Sequence, residues 1–141
     1  MPLISLKNTD SFISQMSGLY MNRILIVEDE ARLADLIEKG LRMYGFDTTV
    51  ASDGLEAVDI IENQEFQLVL LDLGLPIKDG WSVLTELRSA GHSLPVIIVT
   101  ALTDDSNRAR ARDLGASDYV TKPFRFRDLL DKVKFYIKPT F

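Results

Sequence analysis

Five polar side chains follow apolar stretches at points where a strand would end. Glu28 and Asp29 come after the run that closes at Val27, Asp72 after Leu71, Thr100 after Val99, and Lys122 after the segment Asp118 to Thr121. If these runs are parallel strands, their ends share one edge of the sheet, which is where ligands bind in open α/β sheets. Three carboxylates gathered there repel one another and resist full ionisation unless a cation neutralises them. All-oxygen donors, with no Cys in the chain and no His nearby, favour Mg²⁺ over zinc or copper. The Lys122 ammonium and the Thr100 hydroxyl then suit an anion beside the metal. A phosphoryl group satisfies both sides: one oxygen on Mg²⁺, one on Lys122, one on Thr100, with Asp72 placed to attack phosphorus. The chemistry expected is phosphorylation of an aspartate.

From Arg23 onward, short apolar runs alternate with longer segments of helical spacing, as in an α/β domain with a parallel sheet. Strands are expected at Arg23 to Val27, Phe46 to Ala51, Gln67 to Leu71, Val96 to Val99 and Asp118 to Thr121, each followed by a helix. The first helix carries Leu33, Leu36, Ile37, Gly40, Leu41 and Tyr44 on one stripe and stops at Gly45. The second starts at Asp53, with Glu56 completing a capping arrangement, and points Leu55, Val58 and Ile61 inward. The third runs from about Gly80 through Trp81, Val83, Leu84 and Leu87 and ends before Gly91. The fourth opens at Thr103, Asp104 and Asp105, whose acids suit a helix N-terminus, and closes at Gly115. The fifth spans about Arg125 to Ile137. Strands one, three and four are continuously apolar, whereas Phe46 to Val50 mixes polar and apolar residues as an edge does, so the order 2-1-3-4-5 is expected.

The chain has 141 residues, 16 Lys plus Arg, 21 Asp plus Glu and a formal charge of −5, which predicts one domain with its own core. The absence of Cys excludes disulfides and thiolate metal sites. The acidic balance argues against a nucleic-acid surface. No apolar run approaches the roughly 18 residues of a membrane span, and residues 1 to 20 lack the pattern of a secretory signal, so a cytoplasmic protein is expected. Residues 1–22 read as a loosely ordered extension with Met21 just before the first strand, residues 23–137 as the domain, and 138–141 as a tail.

The segments Ile24 to Glu30 (ILIVEDE), Leu70 to Gly80 (LLDLGLPIKDG), Val99 to Ala101 (VTA) and Thr121 to Phe124 (TKPF) together resemble the receiver domain of bacterial two-component response regulators. The resemblance covers about Arg23 to Ile137. It implies a flavodoxin-like (βα)5 three-layer sandwich and a phosphoryl group passed to Asp72 from a sensor histidine kinase or phosphotransfer protein. It implies further that Glu28, Asp29 and Asp72 hold Mg²⁺ together with the backbone carbonyl of Gly74. Lys122 would pair with the phosphoryl oxygens, Pro123 would follow a cis peptide bond, and the residues at Gly74 and Leu102 would tune how long the acyl phosphate lasts. The implied switch has Thr100 moving toward the phosphoryl group while Tyr119 turns into the space it opens, remodelling the fourth helix, fifth strand and fifth helix. By this resemblance the chain is not an enzyme but a phosphoacceptor that assists its own phosphorylation and dephosphorylation with Mg²⁺.

That face is similar to the dimerisation face of the winged-helix transcription-factor class. The resemblance implies intersubunit pairs of Arg108 with Asp128 and Asp118 with Lys132, in a phosphorylation-promoted two-fold homodimer. A regulator of that class continues into a DNA-binding domain, whereas this chain ends at Phe141. It is read as a single-domain regulator or a piece of a longer one, with no DNA or membrane binding of its own.

Other features take plainer readings. His92 sits in a Gly and Ser loop and receives no role. Arg108, Arg110 and Arg112 alternate around a helix and read as solvated surface, and Trp81 reads as packing at a helix start. A dehalogenase-type phosphatase would place a second Asp where this chain has Gly74, and no Gly-rich phosphate loop is present. The competing function is a pseudo-receiver, an interaction module that keeps the fold without using phosphate.

Overall fold

The computed structural model describes residues 22–137. Apart from Asn22, the expected extension lies outside the described residues, as does the tail at 138–141. Five strands alternate with five helices: β1 (Asn22–Val27), α1 (Ala31–Met43), β2 (Phe46–Ala51), α2 (Gly54–Asn63), β3 (Leu68–Leu71), α3 (Gly80–Ser89), β4 (Val96–Thr100), α4 (Asp105–Asp113), β5 (Asp118–Thr121) and α5 (Phe126–Tyr136). All pairings are parallel and the order is β2-β1-β3-β4-β5, the flavodoxin-like arrangement expected. The polar strand β2 is one edge and β5 the other, and the apolar strands β1, β3 and β4 between them are covered on both faces.

Alternation along the strands divides the core into two layers. Ile24 and Ile26 of β1 face one layer, where α1 and α5 contribute Ile37, Leu41, Leu129, Leu130 and Val133. Leu25 and Val27 face the other, where α2, α3 and α4 contribute Ala57, Ile61, Val83, Leu84, Leu87 and Ala111. Each fully buried Leu or Ile is worth about 1.5–3 kcal/mol. The helices share this burial unequally. Helix α3 buries Gly80, Val83, Leu84 and Leu87, whereas Ala111 is the one buried residue of α4.

The expected inward stripes need correction. Leu36 is 62% exposed and Leu55 is 55% exposed, while Ala34 and Ala57 are the buried positions beside them. The buried stripes run Ala34, Ile37 and Leu41 on α1 and Gly54, Ala57 and Ile61 on α2. At about 100° per residue, Leu36 and Leu55 stand roughly 100° or more round the helix from each of them. Tyr44 is also exposed; its ring lies near Phe126, with Lys134 over it.

Candidate functional site

The strand ladder carries on past the strands and aligns the residues that follow them. The Glu28 amide donates to the Ala51 carbonyl (3.0 Å), that of Asp72 to Val27 (3.0 Å) and that of Lys122 to Thr100 (2.7 Å). Glu28, Asp72, Thr100 and Lys122 therefore arrive at one edge without a long loop to order. The Lys122–Pro123 peptide bond is cis.

Carboxylate oxygens of Glu28, Asp29 and Asp72 all lie within 4.8 Å of one another. Lys122 Nζ stands between two of these acids, 2.7 Å from Glu28 Oε1 and 3.0 Å from Asp72 Oδ2. The Glu30 amide donates to the second Glu28 oxygen at 3.1 Å, and the Gly74 amide to Asp72 Oδ1 at 3.2 Å. Glu28, Asp72 and Thr100 are buried; Asp29 is exposed. Burial pushes the Glu28 pKa up against the opposing pull of Lys122 and the Glu30 amide, and the nearby Asp72 charge adds to the rise. For Lys122, burial works against the charge, but the hydrogen bonds to Glu28 and Asp72 outweigh it and the pKa is raised. One ammonium thus faces three acids, a donor set of hard oxygens with uncompensated negative charge, which fits a divalent cation such as Mg²⁺.

Asp72, Gly74, Thr100, Leu102, Lys122 and Trp81 line a cavity of about 440 Å³ beside the acids. At Gly74, the space a Cβ would occupy has no neighbouring atom within 4 Å, so the approach past Asp72 is open. The floor of the loop is fixed from behind. The Gly80 amide donates to the Leu73 carbonyl at 2.9 Å, and a Cβ at Gly80 would collide with the Asp72 carbonyl oxygen. Asp79 caps α3 by accepting from the Ser82 amide at 2.9 Å. Between them Ile77, 78% exposed, adopts a φ of +68°, a left-handed conformation unusual for a β-branched residue.

Tyr119 lies beside the cavity, 8% exposed, and its hydroxyl donates to the Leu102 carbonyl at 2.8 Å. Burial raises its pKa, with Arg108 opposing the rise. Arg108 stacks over the Tyr119 ring with its guanidinium carbon 4.8 Å from the centroid, and Arg110 does the same over Trp81 at 4.1 Å. Both arginines are exposed, as their spacing implied, and each also covers an aromatic face. The pair expected between subunits, Asp118 and Lys132, is formed within this chain at 3.0 Å, because α5 lies alongside β5 and brings the ammonium within reach. Tyr136 joins it with a 3.3 Å hydrogen bond to the same carboxylate. Asp128 is exposed and Arg108 does not turn to it within the chain. His92 stands 3.7 Å from Glu62, far along the chain from the acids.

The family described as the response regulator receiver domain matches residues 24–134. The chain belongs to this family. Among its relatives, the transcriptional activator protein IrlR of Burkholderia pseudomallei is 43% identical over 116 residues, 82% of this chain and 50% of IrlR. The chain spans about half the length of the curated relatives it matches. The Francisella response regulator 1452 receiver domain is 34% identical with a TM-score of 0.79, covering 82% of this chain and 95% of that one. The response regulator TrrA of Thermotoga maritima, solved in complex with Mg²⁺ and BeF, is 32% identical with a TM-score of 0.75, covering 83% of this chain and 100% of that one. This receiver therefore has the same fold as its solved relatives. The residues that its sequence left out of the site are Trp81, a wall of the cavity, and Arg110, which reaches it from another element. No local pattern signals a contact made between α3 and α4.

Proposed function

We propose that this receiver accepts a phosphoryl group on Asp72 from the phosphohistidine of a sensor histidine kinase or phosphotransfer protein. The observation that carries the reading is the buried Asp72 carboxylate, hydrogen-bonded by Lys122 and opening into the cavity that Thr100 also lines. In the transfer, an Asp72 carboxylate oxygen bonds to phosphorus, the phosphorus–nitrogen bond breaks, and its electron pair returns to the imidazole. Glu28, Asp29 and Asp72 are the side chains that would hold Mg²⁺, with the Gly74 carbonyl as the expected further donor. When bound, the ion offsets the repulsion among the acids and supplies charge stabilisation for the transferring oxygens. The complex of TrrA with Mg²⁺ and BeF supports this assignment. Lys122 screens the phosphoryl charge, and the Thr100 hydroxyl donates to it. The chain acts as a phosphoacceptor assisting its own phosphorylation and dephosphorylation, not as an enzyme with a released substrate.

The response is a shift between two arrangements of α4, β5 and α5, limited by how differently the phosphoryl group contacts them. Thr100 and Tyr119 are its proposed elements, with the hydroxyl of Tyr119 on Leu102 linking the strand to the loop before α4. Phosphorylation would promote a two-fold dimer through this face, with Arg108 leaving Tyr119 for Asp128 of a second copy. IrlR is a transcriptional activator, which makes transcriptional control the proposed output, through a DNA-binding partner domain and not through this acidic chain.

Intact-protein mass after incubation with acetyl phosphate tests the reading. One phosphoryl adduct is expected with Mg²⁺, none without metal, and none in Asp72→Asn. A chain that gains no adduct and shows no Mg²⁺ binding linked to Asp72 would be a phosphorylation-independent interaction module instead.

A further inference from the structure

Trp81 separates two spaces. On one side is the cavity holding Asp72, Thr100 and Lys122; on the other is an outer cleft of about 580 Å³ lined by Ile77, Lys78, Glu86 and Arg110. The indole is half-buried and packed against the core layer under α3, so its inner edge is anchored while its outer part meets the cleft. There Arg110 covers it, 4.1 Å from guanidinium carbon to ring centroid. Among the described residues Arg110 forms no salt bridge, and its guanidinium lies over the indole. Arg108 and Arg110 stand about 200° apart around α4 and leave it on opposite flanks, one over Tyr119 and one over Trp81.

We propose that Trp81 is the rim residue that sets the lifetime of the aspartyl phosphate, and that Arg110 is the positioning residue that holds it there. The proposal rests on Asp72 as the phosphoacceptor. Loss of the phosphoryl group is hydrolysis: a water oxygen bonds to phosphorus, the bond from phosphorus to the Asp72 oxygen breaks, and its electron pair stays on the carboxylate. A proton from the attacking water leaves with the orthophosphate or to solvent. Each such event needs water inside the cavity, and a large apolar ring fixed at one wall narrows the access that Gly74 leaves open. The guanidinium fixes the ring without entering the site. Because Arg110 belongs to α4, a displacement of that helix away from α3 withdraws it from the indole, loosens the rim and shortens the lifetime. The conformation of the output face is thereby reported back to the phosphorylation site.

The test compares wild type, Arg110→Ala, Arg110→Lys, Trp81→Phe and Trp81→Ala, each phosphorylated with acetyl phosphate and Mg²⁺, freed of donor, and followed by intact mass. An exposed cation–π contact biases a local equilibrium by about two- to fivefold, so Arg110→Ala should lose its adduct faster by that factor. Arg110→Lys should recover part of the loss, Trp81→Phe should fall between wild type and Arg110→Ala or match the latter, and Trp81→Ala should be fastest. Trp81 is the only Trp in the chain, so acrylamide quenching of its emission reports its exposure separately and should increase in Arg110→Ala. Adducts that form on every variant and decay at the wild-type rate would overturn the proposal while leaving Asp72 as acceptor. Quenching unchanged in Arg110→Ala would remove Arg110 from it. Absence of any adduct on wild type, together with no Mg²⁺ binding linked to Asp72, would overturn the acceptor reading, and this proposal with it. Arg110→Ala alters an exposed side chain, which keeps the comparison available if Trp81→Ala does not fold.

Discussion

One ammonium, that of Lys122, serves two buried carboxylates, and its position explains how the acids tolerate one another before any cation arrives. Burial still pushes the Glu28 pKa up despite that ammonium, and the nearby Asp72 charge adds to the rise. Folded Glu28 takes up its proton at a higher pH than unfolded Glu28, whose ordinary value is 4.5. Metal-free stability should therefore gain a contribution as pH falls through the folded value toward 4.5, measurable by urea melts in chelator, and Glu28→Gln should remove that contribution. Lys122 works in the opposite range: its pairing stabilises the fold below its ordinary value of 10.5 and is lost as pH rises through the higher folded value. Glu28, Asp29, Asp72, Thr100 and Lys122 were legible in the sequence because each follows an apolar run, and parallel pairing brings such positions together. The Arg110 and Trp81 contact was not legible, since it depends on the distance between two helices and no spacing encodes that.

Elements position the site through close backbone contacts as much as through hydrogen bonds. The start of α3 lies so near the phosphoacceptor loop that Gly80→Ala would place a methyl group into the Asp72 carbonyl oxygen. That substitution should cost about 1–3 kcal/mol by chemical denaturation, and should also slow phosphorylation, because the loop must move to relieve the clash. Ile77, a few residues earlier, offers the reverse effect. It is exposed and left-handed, so Ile77→Gly removes a steric cost and little burial, and should stabilise the chain by about 0.5–1 kcal/mol in the same melts. The helix starts near Gly54 and Asp105 were legible from the acids beside them; Asp53 does accept from the Glu56 amide, whereas Asp104 makes no side-chain cap. The inward faces were read less well, because hydrophobicity ranks Leu36 and Leu55 above Ala34 and Ala57, whereas the phase of each helix turns the alanines inward.

For the molecule as a whole, the strand order was legible from which strands could tolerate solvent, and the layering followed from alternation along them. The assembly is another matter, since Asp118 and Lys132 satisfy each other within the chain. This leaves Arg108 and Asp128 to carry the proposed intersubunit recognition. Sedimentation with Mg²⁺ and beryllofluoride should show a dimer that Asp128→Arg weakens and that the exchange Arg108→Asp with Asp128→Arg restores; an unaffected dimer in Asp128→Arg would place the interface elsewhere. Helix α4 has a further consequence. It is anchored by one buried alanine, yet carries Arg108, Arg110 and Arg112 within a single stretch, and local opening concentrates where few apolar contacts resist it. Trypsin should therefore make its first cut among the described residues here, so the segment proposed to carry the signal is also the one most exposed to proteolysis whenever no partner covers it.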